Sequence, residues 1–208
     1  MIKAIIFDMD GVLIDAKEWH YEALNYALQL FGYKISREDH LVTFDGLPTR
    51  DKLRMLTEQD GFPEHLHGLV NELKQKHTID FVNRFCAPNF THQYALSCLS
   101  KDGYKLAVGS NSIAASINTM ISKANLTQFL EFFVSADDVK QGKPSPEIYN
   151  LAISKLGFLP HECLILEDNF NGIMAAEASG AHLMKIVEVE DVNYWDIKAR
   201  IQEIEASS

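Results

Sequence analysis

Cysteine is scarce in this chain. Only Cys86, Cys98 and Cys163 are present, an odd number, widely spaced and set in otherwise apolar stretches. That argues against a disulfide framework and predicts buried free thiols in a reducing compartment. Basic residues are also in short supply: 19 Lys and Arg stand against 29 Asp and Glu, a formal net charge of −10. So acidic a chain has no broad attraction for nucleic acid or for an anionic membrane surface, and neither is expected as a partner. A small anion can still bind where helix N-termini, a lysine and a metal ion make a local positive pocket. Long hydrophobic runs are missing too. The first ten residues, Met-Ile-Lys-Ala-Ile-Ile-Phe-Asp-Met-Asp, meet two acids too soon for a signal peptide or a membrane span, so a cytoplasmic address is expected. No internal repeat, low-complexity tract or long charge run interrupts the sequence.

What is present is ordinary globular material: 208 residues, 47% hydrophobic and 23% charged. That length suits one core domain with a modest insertion. Residues 3–8 form a continuous apolar run, as strands covered on both faces do, and Gly11 ends it. Similar runs recur at 105–109, 132–135, 163–166 and 182–187, with helical spacing between them at 113–124, 146–156 and 172–179. This alternation predicts an α/β fold: a Rossmann-like parallel sheet with helices on both faces, whose ligands lie beyond the carboxyl ends of the strands. Between the first two strands lie about eighty residues, far more than one crossover helix needs. Within them 18–31 has helical periodicity, Ser36 is placed to cap a short helix, Thr49 to cap 50–57, and Pro63 to open a long helix running toward Phe85. The predicted organisation is a core of residues 1–15 and 88–208 with an inserted α-helical cap, 16–87, free to swing over the strand ends.

Chemistry-bearing residues gather at those ends. Asp8-Met9-Asp10-Gly11-Val12 closes the first strand, and residues two apart on a strand point to one face, so both carboxylates can converge. They would repel each other unless a cation or proton lies between them. Glu167-Asp168, with Asn169, Asn171 and Gly172 just after, leaves the fourth strand at the same rim, and hard carboxylate oxygens there suit Mg²⁺; taken alone, such a pair is more often the cap of the next helix. Ser110-Asn111-Ser112 precedes a helix and offers hydroxyl and N–H groups to a phosphate, or simply caps that helix. Lys143 sits in Gly142-Lys143-Pro144-Ser145-Pro146, a loop stiffened by two prolines just before a helix.

The ordered set Asp-x-Asp, Ser, Lys, Glu-Asp, each near a strand end, resembles the haloacid dehalogenase superfamily over nearly the whole chain. The resemblance implies that Asp8 attacks phosphorus to form an aspartyl-phosphate, while Asp10 first protonates the leaving oxygen and later activates water. It also implies a magnesium ion held around Asp8, Asp10 and Asp168, with Glu167 in the same acidic motif, and phosphate oxygens held by Ser110, its neighbour Asn111 and Lys143. The helical insertion is similar to the small cap of the phosphoglycolate phosphatase and β-phosphoglucomutase branch. Asp15, Trp19 and His20 begin it, and Thr43-Phe44-Asp45-Gly46-Leu47-Pro48-Thr49-Arg50 resembles its specificity loop. His20 and Arg50 fall where the mutases contact the sugar phosphate. Lys74 and Lys76 lie near a cap lysine of the mutases, but a solvated helix face is the reading adopted for them. Ala87-Pro88-Asn89-Phe90 departs from the branch by lacking a Pro-Gly pair at the cap exit. The expected function is a monomeric, Mg²⁺-dependent phosphatase of a small phosphorylated metabolite, a sugar or polyol phosphate. The alternatives are a β-phosphoglucomutase-like mutase and a non-catalytic phosphometabolite-binding protein. Tyr194 and Trp195 are expected to serve packing, and Asp137-Asp138 to belong to the loop before Lys143.

Overall fold

Continuous apolar runs give the strands of a single parallel sheet, fully buried at its centre and partly exposed at its two edges. The computed structural model describes residues 1–44 and 46–207. In chain order the elements are β1 (Ala4–Phe7), α1 (Lys17–Gln29), α2 (Arg37–Asp39), α3 (Thr49–Asp60), α4 (His67–Phe85) and α5 (Phe90–Lys101), then β2 (Lys105–Gly109), α6 (Ala114–Lys123), β3 (Phe132–Val134), α7 (Glu147–Leu156), β4 (Cys163–Glu167), α8 (Phe170–Ser179), β5 (His182–Lys185) and α9 (Tyr194–Ala206). The sheet order is β3-β2-β1-β4-β5, every pairing parallel. The chain therefore winds outward from β1 through β2 to β3, then returns to the other side of β1 for β4. That reversal leaves a crevice beyond the carboxyl end of β1, the usual ligand position in such sheets.

Period-two alternation sorts β1 between two cores. Ile5 and Phe7 join a cluster with Leu96 and Leu99 of α5, Ile117 and Met120 of α6, and Ile197 and Ile201 of α9. Ala4 and Ile6 face the opposite way, into a cluster with Ile148 and Tyr149 of α7 and Ala175 and Ala176 of α8. All four β1 side chains are fully buried, and each larger one contributes about 1.5–3 kcal/mol. This strand consequently gives the loop at its carboxyl end a firmly anchored support.

A third apolar cluster belongs to the segment between β1 and α5: Leu24, Ala27 and Leu28 of α1, Ile35, Phe44, Leu53 and Leu56 of α3, Phe62, and Val70 of α4. The loop after α1 is pinned by Asn25, whose amide donates to the Ile35 carbonyl at 3.1 Å and accepts from its N–H at 2.9 Å. Ser36 caps α2, accepting from the N–H of Asp39. The entrances of α3 and α4 differ from the sequence expectation. Thr49 is the first residue of α3 and Pro48 stands at its N-cap, because a fixed φ suits the helix entrance. Pro63 opens a short 3₁₀ turn, Glu64–Leu66, before α4 begins.

The thiols are free, as expected, but only Cys163 is buried; Cys86 and Cys98 are partly exposed. Tyr194 packs against the main core, whereas Trp195 is 63% exposed and stacks on Tyr94 at 5.5 Å. Asp137 and Asp138 serve local structure: Asp137 accepts from the N–H of Ala114 at the start of α6, and Asp138 from Ser135. No described helix is long and apolar enough to cross a membrane.

His92, buried in α5, ties the loop after β1 to the far end of the chain. Its Nδ1 lies 3.1 Å from the Leu13 carbonyl and its Nε2 2.7 Å from that of Val189. His92→Ala leaves both acceptors without this partner inside the fold. The expected loss is about 2–3 kcal/mol in a urea unfolding curve, from the hydrogen bond that the ring N–H donates to one of these carbonyls and from the cavity left behind; a loss under about 0.5 kcal/mol would contradict the bridging role.

Candidate active site

The loop after β1 is wound tightly enough to aim its acids. Gly11 donates to the Ile14 carbonyl at 2.7 Å, while Leu13 and Ile14 both donate to that of Met9. Gly11 has φ +93°, and a Cβ there would collide with the Asp168 carboxylate and the Lys17 side chain. Only glycine lets β1 and β4 bring their acids this close. Asp8 lies beside β4, its N–H donating to the Leu166 carbonyl at 2.9 Å.

Asp8, Glu167 and Asp168 each offer an oxygen within 4.8 Å of the others. Lys143, 3% exposed, projects into the same spot: its Nζ is 2.7 Å from Asp8 Oδ1 and 2.5 Å from Glu167 Oε1, and 4.6 Å from the Tyr149 ring centre. Burial works against the Lys143 charge, but Asp8 and Glu167 more than offset it and hold the ammonium above its ordinary pKa. Burial, then Glu167, push the Asp8 carboxyl well above the usual carboxylate range, with Lys143 opposing and Asp168 and Asp10 adding to the rise. Three acids against two lysines, Lys143 and Lys17, still leave negative charge in excess, so the pocket suits a further cation with hard oxygen ligands. The donor set fits Mg²⁺, which takes one or two carboxylates and keeps water for exchange.

Glu167 occupies a different position from its neighbour. Its Oε1 accepts from Lys143 and from the Tyr149 hydroxyl at 2.6 Å, and its Oε2 from the N–H of Asp168 at 3.0 Å. Gly172 at the start of α8 makes room for it, since a Cβ there would overlap the carboxylate. Asp168 is met by Lys17 at the start of α1, Nζ to Oδ2 being 2.5 Å. Lys17 thus brings a cationic contact from the helical segment to the acidic rim.

Asp10 turns its carboxylate away from this cluster. Oδ1 is 3.0 Å from His20 Nε2 on α1, and Oδ2 accepts from Ser112 Oγ at 2.8 Å. His20 Nδ1 lies 3.2 Å from Lys74 Nζ. An ammonium can only donate, so Nδ1 accepts from Lys74 and Nε2–H donates to Asp10. Burial alone would raise the Asp10 pKa; His20, Ser112 and Lys74 together bring it below its ordinary value. Burial and Lys74 lower that of His20, in keeping with a neutral ring.

Lys74 corrects the solvated-face expectation: it is 8% exposed and lines the cavity. Burial first, then the charge of Lys52, lower its pKa to about 8. Its folded value lies below its unfolded one, so the burial penalty is complete below about pH 8 and is relieved between there and ~10.4. The parent is therefore expected to gain stability relative to Lys74→Met as pH rises from 8 to 10 in paired urea titrations; a constant gap would mean that this lysine is not held in a depressed state. Lys52, Lys17 and Tyr149 also escaped sequence reading, and Ser112, read there as part of a phosphate-binding or capping segment, was not tied to Asp10. A signal existed for Lys74 in the i, i+4 stripe Val70, Lys74, Thr78, Val82, all buried on α4.

The remaining predicted residues line one cavity of about 420 Å³, together with Asp8, Asp10, His20 and Lys143; such a volume suits a small metabolite. Ser110, 1% exposed, accepts from the N–H of Ser112 at 3.0 Å. The Asn111 amide is engaged with backbone. It donates to the carbonyls of Gly46 at 2.8 Å and Lys143 at 3.2 Å and accepts from the N–H of Lys143 at 2.8 Å. Arg50 stands at the mouth, its guanidinium largely exposed and donating to the Lys140 carbonyl at 3.3 Å. Asp45, part of the expected specificity loop, lies outside the described residues.

The family profile described as haloacid dehalogenase-like hydrolase matches residues 5–186. A phosphorylated carbohydrates phosphatase of Thermotoga maritima is 27% identical over 179 residues, 86% of this chain and 82% of the relative. A fructose-1-phosphate phosphatase, YqaB, of Escherichia coli is 26% identical over 179 residues, 85% of this chain and 92% of the relative. A crystal structure of β-phosphoglucomutase from Clostridium difficile superposes with a TM-score of 0.86 at 20% identity, covering 99% of this chain and all of that one. At that identity the likeness concerns the fold.

Proposed function

Because the chain belongs to the haloacid dehalogenase-like hydrolases, we propose that it is a magnesium-dependent phosphatase of a small phosphorylated metabolite, a sugar or polyol phosphate, working through an aspartyl-phosphate. The observation that carries this reading is the division of labour between the two aspartates. Asp8 is crowded by acids and touched by Lys143, whereas Asp10, two residues on, is engaged by His20 and Ser112. One carboxylate is placed to attack and the other to move a proton.

Asp8 forms the bond to phosphorus while Lys143 and Ser110 hold the phosphoryl oxygens. Asp10 gives a proton to the leaving alcohol oxygen. The arriving phosphate dianion raises the affinity of Asp10 for that proton, since a like charge disfavours the carboxylate. In the second step Asp10, ionised again and held by His20, takes a proton from the water that attacks the aspartyl-phosphate. Asp8, Asp168 and the Asp10 backbone carbonyl are the groups that would hold Mg²⁺, which supplies charge screening between a carboxylate nucleophile and an anionic phosphate. Glu167 anchors Lys143. Residues 16–87 act as a cap: His20 and Arg50 present polar groups to the substrate, and Asn111 steadies the Lys143 loop beneath. The two curated relatives act, by their names, on phosphorylated carbohydrates, in line with a sugar or polyol substrate.

The test is phosphate release from phosphorylated sugars, polyols, glycolate and nucleotides, with Mg²⁺ or with a chelator. Release concentrated on one compound class and reduced at least ~100-fold by the chelator is expected, the metal supplying several kcal/mol of charge stabilisation. Absence of release accompanied by exchange between β-glucose 1-phosphate and its 6-phosphate isomer, primed by a bisphosphate, would replace the phosphatase with a mutase.

A further inference from the structure

On the side of α4 turned away from the cavity, residues four apart form two adjoining stripes. One is charged: Glu72, Lys76, Asp80 and Arg84, all exposed. Residues at that spacing are neighbours on a helix surface, so the signs run negative, positive, negative, positive along about 18 Å of it. Among the described residues none of the four forms an ion pair or a side-chain hydrogen bond within the chain. The second stripe is apolar and aromatic: Leu69, Leu73, His77, Phe81 and Phe85. Tyr26 of α1 widens it, its ring 5.2 Å from that of His77 and 6.3 Å from that of Phe81, and the Phe85 ring lies 6.0 Å from that of Phe81. Yet Tyr26 is 52% and Phe85 58% exposed. Adjoining rings left this open mark an association surface.

The order of the charges identifies what covers it. Reversed end to end, the pattern becomes its own complement. A copy of α4 laid antiparallel, about a two-fold axis level with Thr78, sets Glu72 against Arg84 of the partner subunit and Lys76 against Asp80 of the partner subunit, each pair occurring twice. In the same register the second stripe interdigitates: Phe81 falls midway between the partner's Leu73 and the partner's His77, and Phe85 midway between the partner's Leu69 and the partner's Leu73. A two-fold contact requires a surface complementary to itself, and both stripes meet that requirement together. A parallel copy in matched register would set every charge against its own sign.

We propose that α4 is the contact of a homodimer, in which a second copy of this chain binds antiparallel along the charged stripe with Phe81 and Phe85 packed between the two helices. The sequence alone leads to a monomer, because a helix face carrying Lys76 reads as solvated. The cavity is lined from the other side of α4, by Gly68, Asn71, Lys74 and Gln75, so pairing leaves it open. A helix of this length, about 28 Å, with Tyr26 alongside, buries an area near the low end for specific interfaces, about 1,200 Å² in all, and such a contact suits a dimer held in the micromolar range.

Sedimentation equilibrium of the full chain, loaded from about 1 to 500 µM, is the test, and a dimer dissociation constant of about 1–100 µM is expected. Lys76→Glu alone, or Asp80→Lys alone, brings like charges together twice across the axis and weakens the dimer at least ~10-fold. Both changes in one chain restore it, since the signs are then exchanged. An equimolar mixture of the two single variants associates as a heterodimer with about the parent's affinity, because every facing pair is again of opposite sign. A misfolded variant would not pair in the mixture, so this result separates lost charge pairing from a damaged helix. A monomer at every concentration, a dimer indifferent to the single changes, or a mixture that stays monomeric would overturn the proposal.

Discussion

Asp8→Asn is expected to lower phosphate release by about four orders of magnitude or more while leaving the protein folded. An amide of the same shape can still accept from Lys143, 2.7 Å away, but it has no lone pair basic enough to attack phosphorus, and removal of a nucleophile commonly abolishes nearly all turnover. Stability should move the other way. The folded protein raises the pKa of the Asp8 carboxyl well above its usual range, by burial and by Glu167. In the presence of a chelator, the cost of ionising it is absent below the unfolded-state value of about 3.9 and grows as pH rises above it. The asparagine variant lacks that cost, so its urea midpoint at pH 7 should equal or exceed the parent's. Near-normal release by the variant would remove Asp8 as nucleophile, and a variant clearly less stable than the parent would contradict the crowding of acids around it.

Lys143→Met should be the most damaging single change to the fold at this site. The ammonium stands between Asp8 and Glu167 and is itself 3% exposed. Its loss leaves two buried carboxylates with no counter-charge between them, a change that typically costs 3–5 kcal/mol. Domains of this kind are stable by about 5–15 kcal/mol in total, so a visible fall in the fraction folded is expected along with lost turnover. Urea unfolding of the parent, of Lys143→Met and of Lys143→Met with Glu167→Gln separates charge from volume. Neutralising Glu167 should return part of the loss. A penalty under about 1 kcal/mol, or no recovery in the double variant, would mean that the lysine matters to phosphate alone and not to the balance of charge beneath it.

The core of the fold was legible because its signals are local. β2 at Lys105–Gly109 coincides with its apolar run, and β4 extends the expected 163–166 by one residue, to Glu167. The acids and Lys143 could be placed at the strand ends because the parallel alternation puts all of those ends on one rim. The helical segment was harder. α4 is buried along Val70, Lys74, Thr78 and Val82, and a lysine in that stripe looks like a surface residue until α1 is seen packed against it. Ser112 was not tied to Asp10 because a serine near a helix start ordinarily caps it; here the α6 entrance is capped by Asp137 instead, and the Ser112 hydroxyl goes to Asp10. Both contacts span more than twenty residues of chain, beyond the reach of any periodicity argument. Trp195, expected to serve packing, does so at the surface, where it stacks on Tyr94 while 63% exposed.

Asn111 is a joint shared by two segments of the chain. Through one amide it grips both backbone groups of Lys143 and the carbonyl of Gly46 on the facing segment, and Arg50 reaches across to the Lys140 carbonyl nearby. Each such bond is worth about 1 kcal/mol net. Two of them make a clasp that thermal motion releases readily, while the pair to Lys143 stays made. If residues 16–87 swing as the cap proposed above, product would leave through an opening that disturbs neither Lys143 nor Asp8 beneath it, and the site would be ready again each time the clasp re-forms.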